Sequence, residues 1–404
     1  MAIEFVPHDP AINADPFPVL RSMREQKSIH WSEHLKSWLV TRYEHVKHML
    51  RTPDSSVKMY SGYFARLPDK RQERLRALID QVSLWMVFRD PPEHTRSRRV
   101  LSKVFTSHAI EALRPQVVRL VDDILDRCET EGEIDLVSTL AYPLPVAVIM
   151  TMLGAPQADL DRLKHWSDEI ALFIGNARAT RDKHARAQQG LVKLAEYFLP
   201  IIAERRKEPR DDLISALISA CDHDEQLTEA ELVATCVLLL FAGHETTTNL
   251  IANGVVQLLE HREQWRRLCA RPALIPTAIE ECLRYDGPIK STGRLVTVAH
   301  ELDGQALRPG QRVYGMVAAA NRDPREFPEP ECFDISREPN RHLSFGFGIH
   351  FCLGAALARL EGQIAIGALA RRFPDMRRTT DVLSFADSLS LRKLESLPVR
   401  LSAG

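Results

Sequence analysis

The stretch Phe345-Gly346-Phe347-Gly348-Ile349-His350-Phe351-Cys352-Leu353-Gly354 sets one cysteine directly before a long patterned segment and surrounds it with three glycines. The segment that follows, 353–373, reads LGAALARLEGQIAIGALARRF, with small and apolar residues recurring at helical spacing. The cysteine therefore stands at a helix N-terminus, where unpaired N–H groups and the positive dipole end stabilise a thiolate and lower its pKa. Without Cβ atoms, the glycines let backbone N–H groups approach the sulfur and let a flat, bulky group lie against the chain.

Working outward, the longest periodic element opens at Leu227-Thr228-Glu229-Ala230-Glu231, where Thr228 and Glu231 have capping-box spacing, and extends to about Glu260. Its middle, Cys236 to Ala242, is apolar all round, so the helix is expected to be buried, and the apolar run is too short to span a membrane. Further helical patterns cover 109–128, 155–175, 187–206 and 274–285, and short strand signals lie at 37–41, 293–298 and 312–317. These patterns predict a protein mainly α with small β-sheets.

The 404 residues, 45% hydrophobic and 26% charged, suit a globular chain and exclude collagen or disorder. With 53 basic against 54 acidic residues there is no global pull toward nucleic acid or an anionic membrane surface. The N-terminal stretch, with Pro7, Pro10, Pro16 and Pro18, is neither a signal peptide nor an anchor, so a cytoplasmic location is expected. No linker or repeat interrupts residues 1–404, which read as one domain. Seven scattered cysteines without a C-x-x-C pair argue against a disulfide framework or zinc knuckle, and about six of them are expected to be small buried hydrophobes. Cys352 needs another explanation. A haem with an axial thiolate fits its surroundings; so, for this segment alone, does an ordinary glycine-rich loop before a capped helix.

Residues 345–354 resemble the hallmark F-G-x-G-x-(H/R)-x-C-x-G of the cytochrome P450 family at every fixed position. The resemblance implies the cytochrome P450 fold, heme b (iron protoporphyrin IX) buried between the long helix and the helix after the cysteine, and Cys352 as the iron's proximal ligand, whose thiolate favours O–O cleavage. Ala242-Gly243-His244-Glu245-Thr246-Thr247 resembles the family's A-G-x-(D/E)-T-(T/S). A glycine, a carboxylate and consecutive threonines weaken a buried helix, so a local opening is expected there, with Glu245 and Thr246 as the implied proton-delivering pair. A solvated notch where the helix leaves the core is the plainer reading. A zinc-protease H-E-x-x-H fails because Thr248 stands where the second histidine is needed.

Glu281-Cys282-Leu283-Arg284 matches the family's E-x-x-R and is expected to be a buried structural pair, with His342 or Arg337 as third partner because Cys332, not arginine, precedes Phe333. Asp90 to Arg98 resembles D-P-P-x-H-x-x-x-R, which implies that His94 and Arg98 hold the haem propionates together with Arg294 and His350. Asn321-Arg322-Asp323-Pro324 and Arg392 to Leu397 are further landmarks, so the likeness runs from about residue 15 to the C-terminus.

The function implied is insertion of one oxygen atom from O2 into an apolar small molecule of secondary-metabolite, terpenoid or fatty-acyl class, by hydroxylation or epoxidation. Electrons would come from a separate ferredoxin or flavodoxin with its reductase, docking near Arg99, Lys103, Arg341 and Arg359, and a monomer is expected. A peroxide-driven enzyme would not need the Glu245/Thr246 pair, and a haem-binding sensor would lack turnover. Substrate contact is expected from Trp85, Met86, Val87, Leu238, Phe241, Ala242, Ile289 and Leu391. Lys290 is the outlier of this set: either its stem lines the cavity while the amine reaches water or a local carboxylate, or it receives an acceptor on the substrate.

Overall fold

The computed structural model describes residues 5–129, 131–174, 180, 182–221 and 227–401. The long helix spans Glu229–Glu260, and the capping box forms as the spacing predicts: the Thr228 hydroxyl accepts from the Glu231 N–H at 3.2 Å while Glu231 Oε2 accepts from the Thr228 N–H at 2.9 Å. The expected opening at 242–248 is absent, and the helix is continuous there. The hydroxyls of Thr246 and Thr247 donate to the Ala242 and Gly243 carbonyls one turn back, at 3.1 Å each, joining the helical ladder instead of breaking it. This is the one described helix long and apolar enough to cross a membrane, and 78% of its most apolar window is buried inside the fold.

Other elements follow the sequence with local corrections. The pattern at 109–128 is two helices, Ser107–Ala112 and Arg114–Cys128, because Pro115 cannot continue an existing helix but suits the first turn of a new one. The helix predicted over 155–175 is Leu160–Ile174, and Gly175 lies outside the described residues. The other patterned segments form the helices Lys183–Lys207, Ile275–Asp286 and, after the cysteine, Ala355–Arg372. Strands Ile29–Ser32, Ser37–Val40, Arg312–Gly315, Thr292–Val296 and Ser55–Ser56 form a sheet in that spatial order, parallel only between the second and third. Register sets Val313 between Trp38 on one side and Arg294 on the other.

The long helix threads two apolar cores. Leu232 to Phe241 pack in one with Trp85 and Phe198, and Leu250 to Leu258 in the other with Trp265 and Phe373. Each fully buried large side chain contributes about 1.5–3 kcal/mol, so both ends are firmly seated and the polar segment between them is held in place by its neighbours. The reading of the cysteines as buried hydrophobes holds for Cys128, Cys236 and Cys282, whereas Cys269 is half-buried and Cys332 is exposed.

Candidate active site

Gly346 and Gly348 both adopt positive φ, +73° and +77°, which only glycine reaches without strain. The turn they make lets the Cys352 N–H donate to the Phe345 carbonyl at 2.8 Å, which fixes the sulfur's direction. Cys352 opens onto a cavity of about 360 Å³ lined by Phe345, Gly346, Cys352 and Gly354 of the loop, and by Ala242, Gly243 and Thr246 of the long helix. A Cβ built on Gly354 would meet nothing within 4 Å, so the glycine leaves a clear face beside the sulfur. Burial pushes the Cys352 thiol up, against the Gly354 N–H and the charges of Arg98 and Arg359.

The same cavity touches His94, Arg98, Arg294 and His350. The His94 and His350 rings lie 4.1 Å apart, and both His94 nitrogens are buried without a hydrogen-bond partner. Arg98 donates to the Phe351 carbonyl at 2.7 Å, tying the helix Glu93–Val104 to the cysteine loop. Burial lowers Arg294 to about 10 and His350 to about 3, the latter helped by His94 and Arg294. Four groups able to donate to an anion therefore converge on one edge, and the unpartnered His94 ring is what a carboxylate there would satisfy. A soft, open cysteine, clear glycine faces and this basic edge fit a haem with its two propionates.

A second cavity, about 690 Å³, adjoins the first and shares Val57, Val87, Ala242, Thr246, Ile289, Thr292 and Arg294 with it. Glu245 lines this second cavity, and Thr246 lines both. Glu245 Oε1 accepts from Lys393 Nζ at 2.6 Å, and Glu245 Oε2 is buried with no partner.

The cytochrome P450 family profile matches residues 30–270 and 273–389. The chain is 41% identical over 375 residues to cytochrome P450 107B1 of Saccharopolyspora erythraea, covering 91% of this chain and 90% of that one. It is 37% identical to the polyketide biosynthesis cytochrome P450 PksS of Bacillus subtilis, covering 98% of each. The crystal structure of P450BioI in complex with an acyl carrier protein carrying hexadec-9Z-enoic acid superposes with a TM-score of 0.91 at 36% identity, covering 97% of this chain and 99% of that one. The chain belongs to the cytochrome P450 family. It has the cytochrome P450 fold, uses heme b, and is a haem-thiolate monooxygenase that inserts one oxygen atom from O2 into an apolar organic substrate, with electrons from redox partner proteins.

In this P450, Met86, Val87, Leu238, Ala242 and Ile289 line the cavity that holds Cys352, and Phe241 and Leu391 line the adjoining one. Ile289 and Leu391 are joined by an isolated β-bridge. Two expected substrate residues are elsewhere. Trp85 is buried behind the wall, stacked on Phe241 at 5.7 Å. Lys290 lines neither cavity: it is buried, and its amine donates to Asn13 Oδ1 at 2.9 Å, because side chains alternate along an extended segment and Ile289 takes the inner face.

The buried pair Glu281/Arg284, with Arg284 Nε and Nη2 each 2.8 Å from the carboxylate, takes Arg337 as third partner at 3.3 Å, joined by Asn340 and the Asp334 N–H. His342 instead faces Glu280, which also binds Arg359 at 2.7 Å. Arg359 is thus drawn inward over the Phe345 ring, while Arg99, Lys103 and Arg341 are exposed. Sequence reasoning missed Lys393 and the aromatic wall Tyr60, Phe88 and Phe173, whose rings lie within about 5 Å of one another through Tyr60. Lys393 stood inside a noted landmark, but nothing local marks Phe173, which arrives from a different helix.

Proposed function

We propose that Cys352 would supply the thiolate to the haem iron, that His94, Arg98, Arg294 and His350 would hold the propionates, and that Glu245 and Thr246 of the long helix manage protons. The observation that carries this reading is that Cys352, Thr246 and the unpartnered His94 meet in one cavity. Haem bound there supplies dioxygen activation and the oxidising power for attack on an unactivated C–H or C=C bond.

The chain's own part is to keep the thiolate directed, exclude bulk water and place protons. Glu245 Oε2, which has no partner, and the Thr246 hydroxyl, which donates to the Ala242 carbonyl at 3.1 Å, are the two groups that pass protons into the cavity in this reading. The aromatic and aliphatic wall of the adjoining cavity favours an apolar, extended or polycyclic substrate of polyketide, terpenoid or fatty-acyl class. Similarity supports this range: relatives include Cytochrome P450 monooxygenase PikC and a mycinamicin IV hydroxylase/epoxidase. A small acidic ferredoxin or flavodoxin fits the exposed Arg99, Lys103 and Arg341, with the enzyme working as a cytoplasmic monomer.

The test is Thr246→Ala in the haem-loaded enzyme. Haem content and substrate affinity should stay near the parent's, while product formed per reducing equivalent falls about tenfold or more as electrons go to peroxide. Unchanged coupling would leave Thr246 a structural residue only.

A further inference from the structure

The cavity of about 690 Å³ beside the Cys352 pocket has two chemically different ends. Its inner end is the part shared with that pocket, at Val87, Ala242 and Thr246. From beside Val87 a row of rings leads outward: Phe88 lies 4.9 Å from Tyr60, Tyr60 4.8 Å from Phe173, and Phe173 5.5 Å from His184. The row finishes at Tyr63, whose ring stacks on His184 at 5.8 Å and whose hydroxyl is 3.1 Å from His184 Nε2. Tyr63 is exposed, and Tyr63, His184 and the neighbouring Lys183 line this cavity but not the Cys352 pocket. Tyr63 stands on the helix Met59–Phe64 and the other two at the start of the helix Lys183–Lys207, so the Tyr63–His184 contact bridges two elements at the outer end.

Charge is as unevenly placed as the rings. Among the described residues that line the cavity the one carboxylate is Glu245, next to Thr246 and already paired with Lys393, so no acid lines the outer end. Asp182, just before Lys183, is exposed, lies outside the lining and makes no side-chain capping bond. Lys183 brings a full positive charge, and Arg71, on the helix Asp69–Arg74, adds to the local potential: burial and the charges of Lys183 and Arg71 lower the pKa of His184 and keep its ring neutral. A neutral Tyr63–His184 pair holds two protons and uses one between its members, which leaves one to donate to a ligand. A helix start disfavours cations, yet the first turn here carries Lys183 and His184 and no acid. A local preference broken by residues that line a cavity points to function.

We propose that Lys183 and the Tyr63–His184 pair form a carboxylate site at the outer end of this cavity, and that the preferred substrate is an amphipathic acid whose apolar body lies along the aromatic row toward Thr246. This rests on the substrate reading given above and adds the substrate's polar end and the residues that select it. One lysine charge and one neutral donor match a monoanion with two acceptor oxygens, whereas a phosphate dianion would meet a single full charge in the lining of the outer end. The competing cation in the lining, apart from Arg294 at the propionate edge, is Arg312. It stands on the strand Arg312–Gly315 and its Nη2 already donates to the Leu35 carbonyl at 3.2 Å. An anchored carboxylate also fixes how far along the chain the inner end is reached, so the position of oxidation is counted from the acid.

The experiment titrates the haem-loaded enzyme by calorimetry, without reductant, with dodecanoic acid and with its methyl ester at about pH 8, where the free acid is ionised. The parent should bind the acid about tenfold or more tightly than the ester. In Lys183→Met that preference should all but vanish with ester affinity kept within about twofold, in Lys183→Arg most of it should remain, and in Tyr63→Phe it should fall about threefold. The thermal midpoint of Lys183→Met should equal or exceed the parent's, because the helix start loses a disfavoured cation, which separates lost recognition from lost folding. Under turnover the same variant should spread oxidation of the acid over more chain positions. The proposal is overturned if the parent binds both probes equally or binds neither, if Lys183→Met keeps the parental preference, or if the preference collapses in Arg312→Met instead. Since calorimetry needs no turnover, a Thr246→Ala enzyme that stays fully coupled would count against the proton role of Thr246 and leave the acid site standing.

Discussion

At the scale of single residues, Lys290 shows how burial converts a side chain's chemistry into a pH response. Burial and the nearby Arg392 charge lower it to about 7, against the opposing pull of Asp387 and Asp286. Between that value and its ordinary range the unfolded chain binds the proton and the folded chain does not, so stability rises with pH through the window and the cost is greatest below pH 7. From pH 7 to 9.5 the parent should gain on the order of 3 kcal/mol in unfolding free energy from this group, and Lys290→Met, measured by denaturant titration at both pH values, should lose most of that slope. Equal slopes would mean that Lys290 is not buried as a charge. Lys290 stood out in the sequence by its place before Arg294, where the family resemblance implies an apolar residue facing the substrate, but the side chain lines neither cavity. The sequence could not show which way the side chain turns, since that depends on Asn13, brought from 277 positions away. Lys393 was hidden for the same reason: its partner Glu245 lies on another element, and spacing carries no trace of that meeting.

Elements were more readable because caps and periodicity are local. The Thr228/Glu231 box fixed the start of the long helix, and the proline at 115 is where the pattern over 109–128 divides. What the box alone did not disclose is that Glu231 also binds Arg89 at 2.6 Å and Arg96, the latter between His94 and Arg98 on the helix Glu93–Val104. One carboxylate thus caps the helix that carries Thr246 and clamps the helix that carries two proposed propionate contacts. Burial works against its charge, yet Arg96 and Arg89 outweigh burial and hold it at about 2. A depressed carboxyl contributes stability above its unfolded value and loses it as pH falls through the folded one. The parent should therefore lose about 2 kcal/mol from this group between pH 6 and pH 3, and Glu231→Gln, already destabilised at pH 6, should lose less over the same interval. Haem retention on dialysis at pH 6 should fall in the same variant, because the clamp on the propionate helix is weakened.

For the whole molecule, the ten residues around Cys352 pointed to the fold through their resemblance to the family hallmark, and the fold then brought His94, Arg98, Arg294 and His350 to one edge from three separate segments. The cavity wall was only half readable. Met86, Val87, Leu238 and Ile289 sit near recognisable motifs, whereas Tyr60 and Phe173 reach the cavity from helices with no motif of their own. Trp85, an expected contact, is instead packing support for Phe241. The central claim is that Cys352 holds the haem iron as a thiolate, and the absorption of the reduced enzyme with carbon monoxide tests it most directly. The parent should show the red-shifted Soret band of thiolate ligation and Cys352→Ala should lose it; the same band persisting in Cys352→Ala would contradict the assignment.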